Sequence, residues 1–194
     1  MTAAHPVVTA TGLEVPALDL ALAPGEVVAV LGPSRTGKTT LVELLAGWTR
    51  PTVGTVSWAG RDRPPPWSEL TVVPQELALI EELTVAENVG LSHRFDPGLP
   101  DRRDEVMDQL GVAHLRDRGG FEISVGERQR TMVARALAAS PSVVLADEPV
   151  AHQDAVRAEA VLALLRRRAE EGAAVLLATR DPAFTAIADR IVEL

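Results

Sequence analysis

Short apolar runs recur along this chain, and helical patterns separate several of them. "EVVAVL" (26–31), "GTVSW" (54–58), "LTVV" (70–73), "SVVLAD" (142–147), "AAVLLAT" (173–179) and "RIVEL" (190–194) predict strands. Runs that are apolar throughout suit strands buried on both faces of a parallel sheet. From Lys38 to Gly47 the pattern predicts a helix with Leu41, Leu44 and Leu45 on one face. "DRRDEVMDQL" (101–110) reads as an amphipathic helix closed by Gly111. Residues 126–139 predict another helix, and 154–171 a long one that stops at Gly172, a natural C-terminal cap. Strands alternating with helices imply an α/β fold. The section from about Leu83 to Ala139 contains no convincing strand and reads as a helical insertion. No internal repeat is visible, and the Pro-rich "RDRPPPW" (61–67) reads as a stiff exposed loop.

Composition narrows the partners. The 194 residues suffice for one sizeable core. A net charge of -8 argues against nucleic acid and against electrostatic docking on anionic lipid. With no cysteine there is no disulfide, thiolate metal site or cysteine nucleophile. His5, His93, His114 and His152 show no metal-ligand spacing. "MTAAHPVVTA" lacks the pattern of a secretory signal, and no apolar run approaches the ~20 residues that span a bilayer. A cytoplasmic location is therefore expected.

Two segments carry phosphate chemistry. "GPSRTGKTT" (32–40) sits between a strand and a helix, the context that G-x-x-x-x-G-K-[ST] requires. Gly32 and Gly37 let the backbone curl so that N–H groups point inward; Pro33, Ser34, Arg35, Thr36 and Thr40 complete the cradle. The helix start adds its positive dipole end. Lys38 can reach the β- and γ-phosphates, and the Thr39 hydroxyl can ligate Mg²⁺. Arg35 fills an unconstrained position, where a β-carbon is tolerable with φ below zero; its side chain points to solvent, or turns to phosphate or a facing subunit. In "SVVLADEP" (142–149), Asp147 can hold Mg²⁺ and Glu148 can act as general base. Ser124 and Glu127 have capping-box spacing at a helix start, where Ser124 and the Gly126 N–H could also meet an anion.

These motifs, in this order, resemble the ATP-binding cassette (ABC) ATPases, the nucleotide-binding subunits of ABC transporters. "GPSRTGKTT" resembles their Walker A loop, "VVPQELAL" their Q-loop with Gln75 as the glutamine, and "ISVGERQR" their signature. "VVLADEP" resembles Walker B, and "VAHQDA" the D-loop with Asp154 as its aspartate. "GERQR" with "LADEP" is similar to the lipoprotein-releasing and macrolide-export branch. The resemblance implies one domain over residues 1–194. Its P-loop NTPase core would have a mainly parallel sheet, an N-terminal antiparallel β portion and a helical subdomain at approximately 83–139.

The resemblance also implies a head-to-tail dimer with ATP held between the Walker motifs of one subunit and the signature (Ser124, Val125, Gly126, Glu127) of the other. Mg²⁺ would lie on Thr39, Gln75 and Asp147. A membrane permease would dock on residues Glu76 to about Phe95, leaving the subunit peripheral to the inner face of the membrane.

Four departures from the family pattern bear on activity. Thr11, Gly12 and Leu13 stand where an aromatic residue usually stacks on adenine. Val125 replaces the first signature glycine, at an expected close backbone approach, and Arg35 replaces another glycine. Arg180 replaces the switch histidine and is expected to bind the γ-phosphate, to pair with Glu148, or to pair with Asp181 or Asp189 at the surface. They favour a slow ATPase, the weaker half of a heterodimer; the alternative is a nucleotide-binding scaffold whose dimerisation ATP controls.

Overall fold

The computed structural model describes residues 7–14 and 17–194. Five strands form a parallel sheet in the order β5-β6-β7-β3-β8: β3 (Val27–Leu31), β5 (Leu70–Val73), β6 (Val143–Asp147), β7 (Ala174–Thr179) and β8 (Arg190–Glu193). A second, antiparallel sheet has the order β2-β1-β4, from β1 (Val8–Glu14), β2 (Ala17–Leu22) and β4 (Thr55–Trp58). The apolar-run criterion finds β4 but neither β1 nor β2, whose apolar residues alternate with polar or small ones. In β2, Leu20 and Leu22 are buried while Asp19 is exposed.

The central strands are buried on both faces, as their continuous apolar sequences require: every residue of β6 and β7 is buried. Alternate residues serve different layers. Val144, Ala146, Val175 and Leu177 pack towards α5 (Val125–Leu137) and α6 (Ala155–Glu170). Val143, Leu145, Leu176 and Ala178 pack towards α1 (Lys38–Ala46) and the antiparallel sheet. On α1, Leu41, Leu44 and Leu45 form the buried face. Each such side chain contributes about 1.5–3 kcal/mol by leaving water.

Between β5 and β6 the described chain is helical: α2 (Val85–Val89), α3 (Leu91–Phe95), α4 (Arg103–Gln109) and α5 follow one another. Thr84 and Glu87 form a capping box on α2. Buried Asn88 ties the preceding loop to this segment: its Oδ1 accepts from the Ile80 N–H at 2.9 Å, and its Nδ2 donates to the Ile80, Leu83 and Thr84 carbonyls. At the far end, Arg102 bridges Glu105 and Glu171, fastening the start of α4 to the end of α6. The Arg102 guanidinium, with that of Arg168, holds the Glu171 carboxyl down at about 2. Gly172 follows α6 at φ +105°, a left-handed turn that suits glycine.

Candidate functional site

All strands of the larger sheet run parallel, so β3, β5, β6 and β7 end on one edge, where loops gather chemistry. The loop after β3 curls around a cavity of about 460 Å³ lined by Ser34 to Thr40, Gln75 and Glu148. Gly37 takes φ +100° just before α1. Gly32 is needed for closeness instead: a Cβ there would lie 2.7 Å from the Leu194 carbonyl oxygen.

Arg35 departs from expectation. Its φ is +72°, in the left-handed region that a β-carbon disfavours. The backbone thus holds an arginine in a conformation that glycine adopts freely. Its side chain is exposed along the cavity rim.

Lys38 is 6% exposed, and its ammonium turns back over the loop, donating to the Gly32 and Pro33 carbonyls at 2.7 and 2.9 Å. It also lies 3.9 Å from a Glu148 carboxylate oxygen. The Thr39 hydroxyl donates to Asp147 Oδ2 at 2.6 Å and lies 3.4 Å from Gln75 Oε1. The other carboxylate oxygen of Asp147, Oδ1, is buried without a hydrogen-bond partner. An orphaned carboxylate oxygen beside a hydroxyl and an amide oxygen is an oxygen-rich donor set that fits a hard cation such as Mg²⁺.

Burial raises the Asp147 carboxyl above its ordinary value; the Thr39 hydroxyl and the Lys38 charge oppose this. Burial also raises Glu148, opposed by Lys38 and Arg180 and assisted by the Asp147 charge. Glu148 takes φ +47°, and its N–H donates to the Ala178 carbonyl at 2.9 Å. Buried Thr179, the last residue of β7, faces the same carboxylate, with Oγ1 3.5 Å from Glu148 Oε2. The apolar run ending at residue 179 contained that threonine, but only the register of β6 against β7 places it beside Glu148.

The expected surface partners of Arg180 are otherwise engaged, and no described carboxylate lies within ion-pair distance of its guanidinium. Asp189 accepts from Arg166 and from the Val27 N–H, and Asp181 caps the following turn through the Ala183 N–H. From this position the Arg180 charge acts on Glu148 only at longer range. The side chain is exposed at the strand end.

The remaining motif residues lie apart from this cavity. Ser124 caps α5, its N–H and hydroxyl donating to Glu127 Oε2 at 2.8 Å each. These bonds hold the Glu127 carboxyl below its ordinary value. Within the chain, the close backbone contact at this helix start is made by Gly126. Val125 is 46% exposed, whereas a Cβ on Gly126 would lie 3.0 Å from the His152 carbonyl. Asp154 caps α6 by accepting from the Arg157 N–H at 2.8 Å. At the expected adenine position, Thr11 is exposed and bonds to the Thr55 hydroxyl at 3.3 Å, Gly12 has φ +64°, and Leu13 is buried. No aromatic residue lines the phosphate cavity among the described residues.

A family model described as "ABC transporter" matches residues 15–151. The ABC transporter ATP-binding protein Rv0073 of Mycobacterium tuberculosis is 36% identical over 91% of this chain. This chain spans 58% of that relative's length. The lipoprotein-releasing system ATP-binding protein LolD 1 of Rhodopseudomonas palustris is also 36% identical, over 91% of this chain and 85% of its own. Among solved structures, the ATP-binding cassette MJ0796, a dimer in a post-hydrolysis state with ADP and Pi, has a TM-score of 0.87 at 25% identity. That match covers 96% of this chain and 94% of the other.

Proposed function

The chain belongs to the ABC transporter family of ATP-binding proteins, and from that premise we propose that it binds Mg-ATP and hydrolyses it slowly for a separate membrane permease. The observation that carries the reading is the convergence of Lys38, Thr39, Asp147 and Glu148 on one strand edge, with Asp147 Oδ1 buried and unpartnered. On this reading the 32–40 loop and the start of α1 bind the triphosphate, with Lys38 exchanging its loop carbonyls for phosphate oxygens. Thr39, Gln75 and Asp147 hold Mg²⁺, which when bound neutralises phosphate charge. Glu148 accepts a proton from the attacking water, and burial brings its affinity for protons closer to that task.

Two further elements of the reading concern partners. A second ATPase subunit would place its own phosphate loop against Ser124 to Glu127, as the dimeric likeness suggests. Val125 would serve that partner's site while Arg180 sits in this one, which favours pairing with a different, more complete subunit. No helix of the described residues is long and apolar enough to cross a membrane; the reading gives the crossing to a separate permease. The apolar groove lined by Trp67, Val72, Leu91, Phe95, Arg135 and Ala139, next to exposed Leu77 and Ile80, is the face we assign to the permease. Residues 1–194 then act as one domain, with the helical segment at approximately 83–139 as its permease-facing part.

The experiment is a phosphate-release assay with Mg-ATP on the purified chain and on Glu148→Gln, repeated after co-purification with membrane proteins. Slow release that Glu148→Gln abolishes and a recovered permease accelerates is expected. Mg-ATP binding without release under either condition would favour a nucleotide-controlled scaffold.

A further inference from the structure

A second cavity, of about 430 Å³, adjoins the phosphate cavity and shares Thr39 and Gln75 with it. The two carry opposite charge. Arg35 and Lys38 line the phosphate cavity, with Glu148 as its one carboxylate. The second is lined by the carboxylates of Glu43, Glu76 and Asp147 and by no cationic side chain, so its field favours a cation. Asp147 is 1% exposed and its Oδ1 has no hydrogen-bond partner, which leaves a buried acceptor in this wall. The volume lies within the range of small-molecule sites and far exceeds what one Mg²⁺ ion fills.

The rest of the wall is apolar and aromatic, and the end of α1 builds much of it. Gly47 caps that helix at φ +72°, a left-handed turn that folds the chain back on the last turn. The Trp48 N–H then donates to the Glu43 carbonyl at 2.9 Å, which sets the indole beside the end of α1. Trp48 is 60% exposed yet lines the cavity, together with apolar Val42, Val72 and Pro74. Glu43 is half-buried on α1, and Glu76 is exposed after β5. Neither carboxylate enters an ion pair among the described residues. An aromatic ring, apolar walls and free carboxylates together suit an organic cation. The ring face and the carboxylates meet its charge, and the apolar side chains meet its alkyl stem. A metal ion would leave the indole and the apolar walls unused.

We propose that this cavity binds an organic cation, a primary alkylammonium or an alkylguanidinium, with its charge among the Trp48 ring and the Glu43, Glu76 and Asp147 carboxylates. The site is additional to the ATPase reading and does not rest on it, since it needs neither nucleotide nor Mg²⁺. A free small molecule and a basic side chain of a docked protein offer the same chemistry, and the probes below separate them.

The test is an NMR titration of the full chain, without nucleotide or Mg²⁺, using n-butylguanidinium, its neutral analogue n-butylurea, and Nα-acetylarginine N-methylamide. Butylguanidinium should bind with a Kd of about 1 mM, the scale for a ligand of its size, and shift the amides of residues 42–49 and 75–76. Butylurea should bind at least about tenfold more weakly. Trp48→Leu and Glu43→Gln, neither at a buried position, should each weaken butylguanidinium about threefold, and the double variant about tenfold, with melting temperatures near that of the wild type. The blocked arginine upholds the site in either case. Binding as tight as that of butylguanidinium assigns the cation to a protein side chain, and weaker binding assigns it to a free small molecule. Equal binding of butylurea would show an apolar cavity only and overturn the proposal. Butylguanidinium affinity unchanged in both variants would put the cation on Asp147 alone and overturn it too, as would the absence of shifts in 42–49 at about 20 mM probe. A chain that binds no Mg-ATP refutes the ATPase reading and leaves this titration standing.

Discussion

Replacing Arg35 separates two effects that the structure superimposes at one residue. The backbone there is left-handed at φ +72°, which costs a residue with a β-carbon about 1–2 kcal/mol. Arg35→Gly removes that cost but gives the unfolded chain more freedom, which takes back about 0.4–1 kcal/mol. The net expectation is a gain of roughly 0.5–1 kcal/mol. For a chain of this size that raises the melting temperature by about 1–4 °C. Arg35→Ala keeps the β-carbon in the strained conformation, so its melting temperature should stay within about 1 °C of the wild type. The charge behaves differently. The guanidinium lines the rim of the phosphate cavity, so both variants should bind ATP about fivefold more weakly, near the upper end for an exposed ion pair. Differential scanning fluorimetry without nucleotide and calorimetry with Mg-ATP read the two effects independently. A glycine variant that melts no higher than the alanine variant would refute the strain argument. Unchanged ATP affinity in both would show that the arginine points to solvent.

Three further outcomes follow from the same site. Asp147 has a raised carboxyl, so its ionisation opposes folding increasingly as pH rises through its folded-state value. In Mg²⁺-free buffer Asp147→Asn should therefore melt above the wild type at neutral pH, with the gap closing towards acid and only the wild type gaining from added Mg²⁺. With no aromatic residue lining the phosphate cavity, competition should show ATP preferred over GTP by less than about a hundredfold. Turnover of the isolated wild type should lie below ~1 s⁻¹ and rise with pH above the ordinary glutamate range, as raised Glu148 ionises. Arg180→His should increase it, and Glu148→Gln should remove the gain; brisk wild-type turnover that Arg180→His does not change would contradict the slow-site reading.

The elements that build the site were the most legible ones. β3, β6 and β7 are continuous apolar runs because both faces of the sheet are covered, and the phosphate loop is recognisable from its glycines and lysine between a strand and a helix. β1 and β2 were not, since half-buried antiparallel strands alternate and theirs do so over few residues. Arg35 misled for a different reason. Residue type argues for negative φ, whereas the loop holds this residue at φ +72°. The contact of Gly126 with the His152 carbonyl was not legible, because a glycine in a sequence does not show which backbone it meets. The place of Thr179 beside Glu148 comes from strand register, a tertiary fact that the apolar run does not show.

Isothermal titration of the wild type and Lys38→Ala with Mg-ATP tests the central claim most directly. The ammonium of Lys38 is buried at the phosphate loop and held by carbonyls that phosphate oxygens would replace. The account predicts measurable wild-type binding, weakened about 10–100-fold in the variant by loss of one charged contact, with the melting temperature showing that the variant is folded. Equal affinity in the two proteins, or a folded wild type that takes up no Mg-ATP, would contradict it.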